Sequence, residues 1–319
     1  MKKVSVMVPA YNAENYLAQA LDSILEQDYP NVEIVVADDA SRDGTAPILR
    51  QYEAKYPGKI RAIYNVSNLG ITANCNLALS ACDGEYVSLF AGDDVMLPGK
   101  LRKQVDYLES HPAAVLCYHP VEIFDSDSGE TLFTTNQNAR EDIDNTADLL
   151  MKGGIPGGCS IMVRQHAIPQ GGYDSRLTSV SDWLFFLEIS TRGPFVILRE
   201  TLGRYRKHQG GASQLTLQYM EESLRALDLF LTKHPKPEYR RLVELAKMRY
   251  VAGECYRQLN INSRVALKLA DDVLSQPRPP AKYKILWVVC WLNDKVPGMQ
   301  ALISWASLKV KYVLKRALG

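Results

Sequence analysis

The 319-residue chain lacks most of the features that announce a function outright. Its six cysteines (Cys75, Cys82, Cys117, Cys159, Cys255 and Cys290) are scattered and form no CxxC pair. That argues against a zinc knuckle or a disulfide framework and for free thiols in a reducing compartment. The formal net charge is only +1, so no global field marks nucleic acid as a partner. There is no GxGxxG after the first strand-like run and no GxxxxGK[ST], which counts against dinucleotide redox chemistry and P-loop hydrolysis. A GxSxG elbow is missing too. The apolar stretch in MKKVSVMVPAYN is too short for a secretion signal. The longest apolar run elsewhere, Ile285 to Leu292, falls well short of the roughly 20 residues that span a bilayer. The expected location is cytoplasmic, either free or peripheral on the inner face of the cell membrane.

What is present belongs to an ordinary globular protein, 46% apolar and 23% charged, with length for one large domain and a smaller one. From Lys3 to about Tyr118 short apolar runs alternate with helical spacing. Strands are expected at Val4–Val8, Glu33–Ala37, Ile60–Tyr64, Tyr86–Phe90 and Ala114–Tyr118, and helices at Asn15–Gln27, Thr45–Tyr56, Ile71–Cys82 and Lys100–Ser110. This alternation implies an α/β fold with a mainly parallel sheet flanked by helices. The stretch from Val121 to Ser213 is rich in turn residues, and from about Leu215 long helical segments take over. The division expected is an α/β domain over 1–213 and a helical domain over 214–319.

Three polar clusters follow strand ends: Pro9-Ala10-Tyr11-Asn12, Asp38-Asp39 and Ala91-Gly92-Asp93-Asp94. In an open α/β sheet such ends converge on one crevice, where ligands bind. Adjacent carboxylates repel, and a hard cation is a natural compensation, so Asp93-Asp94 suggests Mn²⁺ or Mg²⁺ shared with a substrate's phosphates. The plainer reading is that the pair caps the turn before Pro98. Asp38-Asp39 either forms an Asx turn or accepts hydrogen bonds from a base or ribose. Tyr11 either stacks on a base or packs.

At these residues a resemblance becomes specific. VSVMVPAYNAENYLAQALDSILEQDYPNVEIVVADDASRDGT resembles the opening of the family 2 glycosyltransferases, and NLGITANCNLALSACDGEYVSLFAGDDVMLPGKL resembles that family's next block. The likeness extends over about the first 210 residues. It implies a GT-A (Rossmann-like) fold, an inverting and non-processive transferase, and a nucleotide-sugar donor, with UDP the favoured nucleotide. The implied acceptor is a glycan or lipid-linked glycan of cell-surface polysaccharide synthesis. It places Asp39 on the base, with Pro9, Tyr11 and Asp38 around the nucleoside. Asp93 falls on the ribose or metal, and Asp94 is the main metal ligand.

The same resemblance assigns the catalytic base to Asp182, which follows the turn Gly171-Gly172-Tyr173-Asp174 and has Ser181 before it where Glu is commoner. An N-cap for the helix Trp183–Ile189 is the structural reading of the same residue. Arg204-Tyr205-Arg206-Lys207-His208 resembles a segment whose His reaches the metal or diphosphate, so His208 is a further candidate ligand, with a purely structural role as the alternative. Cys75 stands before Asn76 where many members carry Arg. No Gln-x-x-Arg-Trp segment occurs, which favours a single-sugar transferase over a polymerase. Two other classes stay open: a sugar-nucleotide nucleotidyltransferase, and a non-catalytic glycan-binding protein on a decayed scaffold.

Near the C-terminus, Met299, Leu302, Ile303, Ala306, Val310, Val313, Leu314 and Ala317 share one helical face, with Lys309, Lys311, Lys315 and Arg316 off it. A basic amphipathic helix of this kind either contacts an anionic membrane surface or packs on the helical domain.

Overall fold

Two sheets organise the first part of the chain, in a computed structural model that describes residues 1–155, 157–208 and 216–296. The amphipathic pattern over 299–319 lies outside the described residues. Contacts divide the chain into two compact units, Met1–Gln214 and Leu215–Gly319.

Unit 1 opens with β1 (Val4–Ala10), α1 (Leu17–Leu25), β2 (Val32–Asp38), α2 (Thr45–Lys55), β3 (Ile60–Tyr64), α3 (Ile71–Ser80) and β4 (Tyr86–Leu89). There follow β5 (Val95–Met96), α4 (Lys100–Ser110), β6 (Leu116–Tyr118), β7 (Val121–Asp125) and β8 (Thr131–Thr134). It closes with α5 (Thr146–Lys152), β9 (Met162–Arg164), α6 (Ser181–Ser190), β10 (Phe195–Ile197) and β11 (Gly203–Lys207). The main sheet runs β10-β6-β9-β4-β1-β2-β3, parallel throughout except for β9, which is antiparallel to both neighbours. β1 and β4 read as almost uninterrupted buried runs because helices cover a parallel sheet on both faces. Val4, Val6, Val8, Leu17, Leu21, Ile34 and Val36 lie in its core.

A second sheet, β5-β11-β7-β8, stands beside it. The periodicity reading does not contain β7, β8 or β11. Their alternation is weak, β8 is largely exposed, and β11 is GRYRK, whose burial depends on partners distant in sequence. The expected helix over Asn15–Gln27 begins at Leu17, because the carbonyl of Ala13 takes the N–H groups of both Tyr16 and Leu17.

Unit 2 is helical: α7 (Thr216–Lys233), α8 (Pro237–Gln258), α9 (Ser263–Leu274) and α10 (Lys282–Lys295). Pro237 opens α8, where its missing N–H costs nothing. Asn262 caps α9 by accepting from Val265 N–H at 3.2 Å. Met248, Cys255, Leu259, Ala266, Val273, Leu286 and Cys290 make its core. Among the described residues, no helix is long and apolar enough to cross a membrane.

Candidate active site

The carboxyl ends of β1, β2 and β4 surround a cavity of about 390 Å³, lined by Pro9, Tyr11, Tyr16, Asp39, Asn68, Ile71, Asn74, Asp93 and His208 among others. Interlocked loops build its walls. Asn12 donates its N–H to Ser41 Oγ at 2.9 Å and accepts from Arg42 N–H at 3.0 Å. Asn12 and Ala40 both sit in the left-handed region, at φ 47° and 56°, a strain held by this network. Gly92 lets the turn after β4 approach β1, since a Cβ there would lie 3.2 Å from Ala10 Cβ.

Asp39 is buried and multiply bonded. Its carboxylate accepts from Leu69 N–H at 2.8 Å, Gly70 N–H at 3.0 Å and Asn65 Nδ2 at 2.9 Å. Asn65 also bonds Asn74, which donates to the Ala37 carbonyl at 2.9 Å. The network ties the end of β2 to the loop before α3. Asp38 does not join the cavity: it is 2% exposed and accepts from the Ser41 hydroxyl and N–H. The sequence reading placed it around the nucleoside. Strand alternation turns it away from its neighbour instead.

The Asp93-Asp94 pair separates in the same way. Asp93 faces the cavity, with Oδ2 3.1 Å from His208 Nε2, and the His208 ring lies 5.1 Å from that of Tyr16. Asp94 is 1% exposed and accepts from Arg206 N–H at 3.0 Å. Burial, and then the neighbouring Asp93 charge, push its carboxyl well above the ordinary range. The expectation that Asp94 is the main metal ligand therefore meets an inward-facing carboxylate that anchors the turn, while its neighbour points out.

Arg206 is the residue that the sequence reading passed over. Its Nε–H donates to the Asp93 carbonyl at 2.7 Å and Nη2 to Gln19 Oε1 at 2.6 Å. The guanidinium lies between the rings of Tyr16 and Phe124, 4.7 and 4.6 Å from their centres. The available signal was its place two residues before His208.

Asp182 lies in the first turn of α6, which starts at Ser181 with Val180 as N-cap, so the N-cap reading of Asp182 is replaced by a first-turn position. It stands outside the cavity lining but is linked to it through α3. Thr72 Oγ1 donates to the Leu177 carbonyl at 2.8 Å and sits 2.9 Å from Ser181 Oγ. Ser181 is thus committed to α3. Asp182 is open to solvent on one side, and the protein around its other sides strips enough water to raise its carboxyl above the usual range. Cys75, on α3, lies within electrostatic reach of both Asp182 and Asp39; burial first, then those charges, push its thiol up to about 12. Asn76 holds the turn before α6 by donating to the Tyr173 carbonyl at 2.8 Å and accepting its N–H at 2.7 Å.

Among the described residues, no cluster of three or more His, Cys, Asp or Glu side chains gathers to hold a metal. Asp93 supplies a carboxylate of the kind that Mg²⁺ or Mn²⁺ takes beside substrate phosphates, with the His208 imidazole next to it.

A family model described as glycosyl transferase family 2 matches residues 5–168, over half of the chain. The chain belongs to family 2 of the glycosyltransferases. An uncharacterized Mycobacterium tuberculosis protein is 35% identical over 213 residues, 65% of this chain. The alignment spans only 60% of that relative's length. A putative teichuronic acid biosynthesis glycosyltransferase of Bacillus subtilis, TuaG, is 38% identical over 111 residues, 35% of this chain and 44% of its own. Among solved structures, S. aureus TarS 1-349 in complex with UDP-GlcNAc superposes with a TM-score of 0.66 at 16% identity, covering 92% of this chain and 87% of that one. The mannosyltransferase PcManGT of Pyrobaculum calidifontis, in complex with GDP-Man and Mn²⁺, gives 0.60 at 17% identity over 97% and 86%. These two likenesses establish the GT-A fold that family 2 members share.

Proposed function

We propose that the chain transfers one sugar from a UDP-sugar to a hydroxyl of a glycan or lipid-linked glycan, inverting the anomeric carbon, in cell-surface polysaccharide synthesis at the cytoplasmic face of the membrane. The observation that carries the reading is the convergence of Asp39, Asp93 and His208 on one cavity at the strand ends. The family, and relatives or neighbours named for teichuronic acid biosynthesis, UDP-GlcNAc and GDP-Man, support it.

Acceptor capacity supports the choice of base. A carboxylate offers about four lone-pair sites. Asp39 spends two on Oδ1 and one on Oδ2 within the protein, which leaves a single acceptor for the base. Uracil presents one imide N–H, whereas guanine presents a pair of donors. Tyr11, 48% exposed at the rim, supplies a stacking face.

Asp93 and His208 are the residues that would hold Mn²⁺ or Mg²⁺, with Asp94 anchoring their turn. A bound divalent ion would supply positive charge against the departing diphosphate. Asp182 takes the acceptor hydroxyl's proton as that oxygen bonds the anomeric carbon and the bond to the diphosphate oxygen breaks. A raised carboxyl pKa strengthens a base of this kind.

Calorimetric titration of UDP and GDP, with and without Mn²⁺, on wild type and Asp93→Ala tests the reading. Metal-dependent binding of UDP that Asp93→Ala loses is the expected result. Failure of every nucleotide to bind favours a non-catalytic scaffold, and nucleoside triphosphate turnover favours a nucleotidyltransferase.

A further inference from the structure

Helix α6 starts without a capping side chain of its own. Its N-cap is Val180, which makes no cap, and the first helical bond, from Leu184 N–H to the Val180 carbonyl, is long at 3.4 Å. The first N–H groups of a helix find no partner within it, so an uncapped start frays easily. Asp182 sits in that first turn. Its carboxylate accepts from Trp183 N–H at 2.8 Å, a bond to the next residue that ties the turn to nothing outside itself.

An outside hold comes from α3. Thr72 is 6% exposed, and its hydroxyl donates to the Leu177 carbonyl at 2.8 Å. A hydroxyl has one proton, so in the 2.9 Å contact between Thr72 Oγ1 and Ser181 Oγ the serine donates. One buried hydroxyl thus joins Leu177 and Ser181 across the approach to α6. Asn76 and Leu79 continue the same face of α3, one and two turns on. Asn76 holds Tyr173 through both backbone groups, at 2.8 and 2.7 Å, and Leu79 lies against Gly172, where a Cβ would stand 3.1 Å from its Cδ2. The other side of α3 belongs to the cavity. Asn74 donates to the Ala37 carbonyl at 2.9 Å, and Gly70, the N-cap of α3, donates its N–H to Asp39 at 3.0 Å. A single helix is therefore bonded to Asp39 at its start and to the segment that carries Asp182 along one face.

We propose that Thr72 is a positioning residue: through Ser181 and Leu177 it fixes the start of α6 to α3, and so sets where Asp182 stands relative to Asp39. The proposal rests on the reading of Asp182 as the base. Thr72 is not among the residues that line the cavity, so its effect falls on proton transfer rather than on donor binding. A misplacement of about 1 Å at such a step costs on the order of 10²-fold in rate.

Thr72→Val removes the hydroxyl and keeps the shape, while Thr72→Ser keeps the hydroxyl. The first readout, on the full chain, is the carboxyl resonance of Asp182 in protein made with isotope-labelled aspartate, titrated with UDP and Mg²⁺ present and assigned by its loss in Asp182→Asn. Cys75 and Tyr173 lie within electrostatic reach of Asp182, and burial pushes both upward, so neither changes charge over this range. The midpoint is expected above the ordinary carboxylate range in wild type and Thr72→Ser. In Thr72→Val it is expected to move down toward that range as the loosened turn admits water, with UDP affinity unchanged by calorimetry. The second readout is UDP release from a panel of UDP-sugars, with water standing in for the acceptor hydroxyl. There Thr72→Val is expected to lower kcat by up to about 10²-fold at unchanged KM, and Thr72→Ser to restore it. The double variant Thr72→Val/Asp182→Asn is expected to be no slower than Asp182→Asn alone, because the two residues act on one step. A wild-type midpoint in Thr72→Val overturns the proposal, and so does a double variant slowed by the product of the single effects. Should Thr72→Val not fold, Ser181→Ala, which leaves the bond from Thr72 to Leu177 in place, is expected to shift the midpoint the same way by less, and no shift overturns the proposal. Unchanged turnover in Asp182→Asn sinks the catalytic reading instead, and is told apart because the midpoint still moves in Thr72→Val.

Discussion

The backbone N–H of Arg206 donates to Oδ1 of Asp94 at 3.0 Å and so fixes the turn after β4 to the last strand of the second sheet. The two residues are 112 apart in sequence. The bond turns Asp94 inward, and its neighbour Asp93 is presented to the cavity beside His208. Two acids of one dipeptide thereby face different ways.

Asp93→Ala is expected to abolish the gain in UDP affinity that Mn²⁺ gives, with little change in melting temperature. Asp94→Ala is expected to do the reverse in emphasis: it removes a buried acceptor and leaves the Arg206 N–H unpaired, a loss of about 1–3 kcal/mol. Paired thermal melts and calorimetry on both variants check the division of labour.

Arg206→Ala removes the bonds to the Asp93 carbonyl and Gln19 and the ring contacts on both sides. Loss of a group that orients a ligand typically weakens metal affinity by about 10–100-fold. Mn²⁺ titration in the presence of UDP is the readout, and Arg206→Lys, which keeps charge but not the planar fork, is expected to recover only part of the loss.

Asp182 must be ionised to accept a proton, and the protein around it, by stripping water from part of its surroundings, raises its pKa. The rate is therefore expected to rise with pH through a midpoint above the ordinary carboxylate range and to level off beyond it. Asp182→Asn is expected to bind UDP normally and to lower kcat by about 10²-fold or more, the scale of general base catalysis. An unchanged kcat in that variant would remove Asp182 from the mechanism.

Gly172 lies at φ 70°, and a Cβ there would collide with Asn76 Oδ1. Gly172→Ala is expected to displace the turn before α6, lowering stability and activity together. Asn76→Ala forfeits both bonds to Tyr173, about 2 kcal/mol at a typical value of 1 each. Chemical denaturation measures either loss.

Lys100 is fully buried, its ammonium on Ser88 Oγ at 2.9 Å, and burial lowers its pKa from 10.5 to about 8. Between those values the unfolded chain holds a proton that the folded one has released, so stability rises with pH across that window. At pH 7 the full penalty is in force, on the order of 3 kcal/mol. Lys100→Met is expected to lack this rise, and denaturant midpoints from pH 7 to 10.5 compare the two.

Much of the molecule is legible in its sequence. Apolar runs at Val4–Val8 and Tyr86–Phe90 announce buried strands because a sheet covered on both faces leaves little room for polar alternation. Polar residues directly after those runs mark the crevice, because strand ends of a parallel sheet come together whatever their separation along the chain. What the sequence does not carry is direction. Asp38 and Asp39, like Asp93 and Asp94, are equivalent as letters, and successive side chains of an extended chain point to opposite sides. Which side is the cavity depends on Ser41, on the N–H groups of Leu69 and Gly70, and above all on Arg206. Arg206 arrives only when β11 pairs with β5 and β7, and local periodicity holds no record of that pairing.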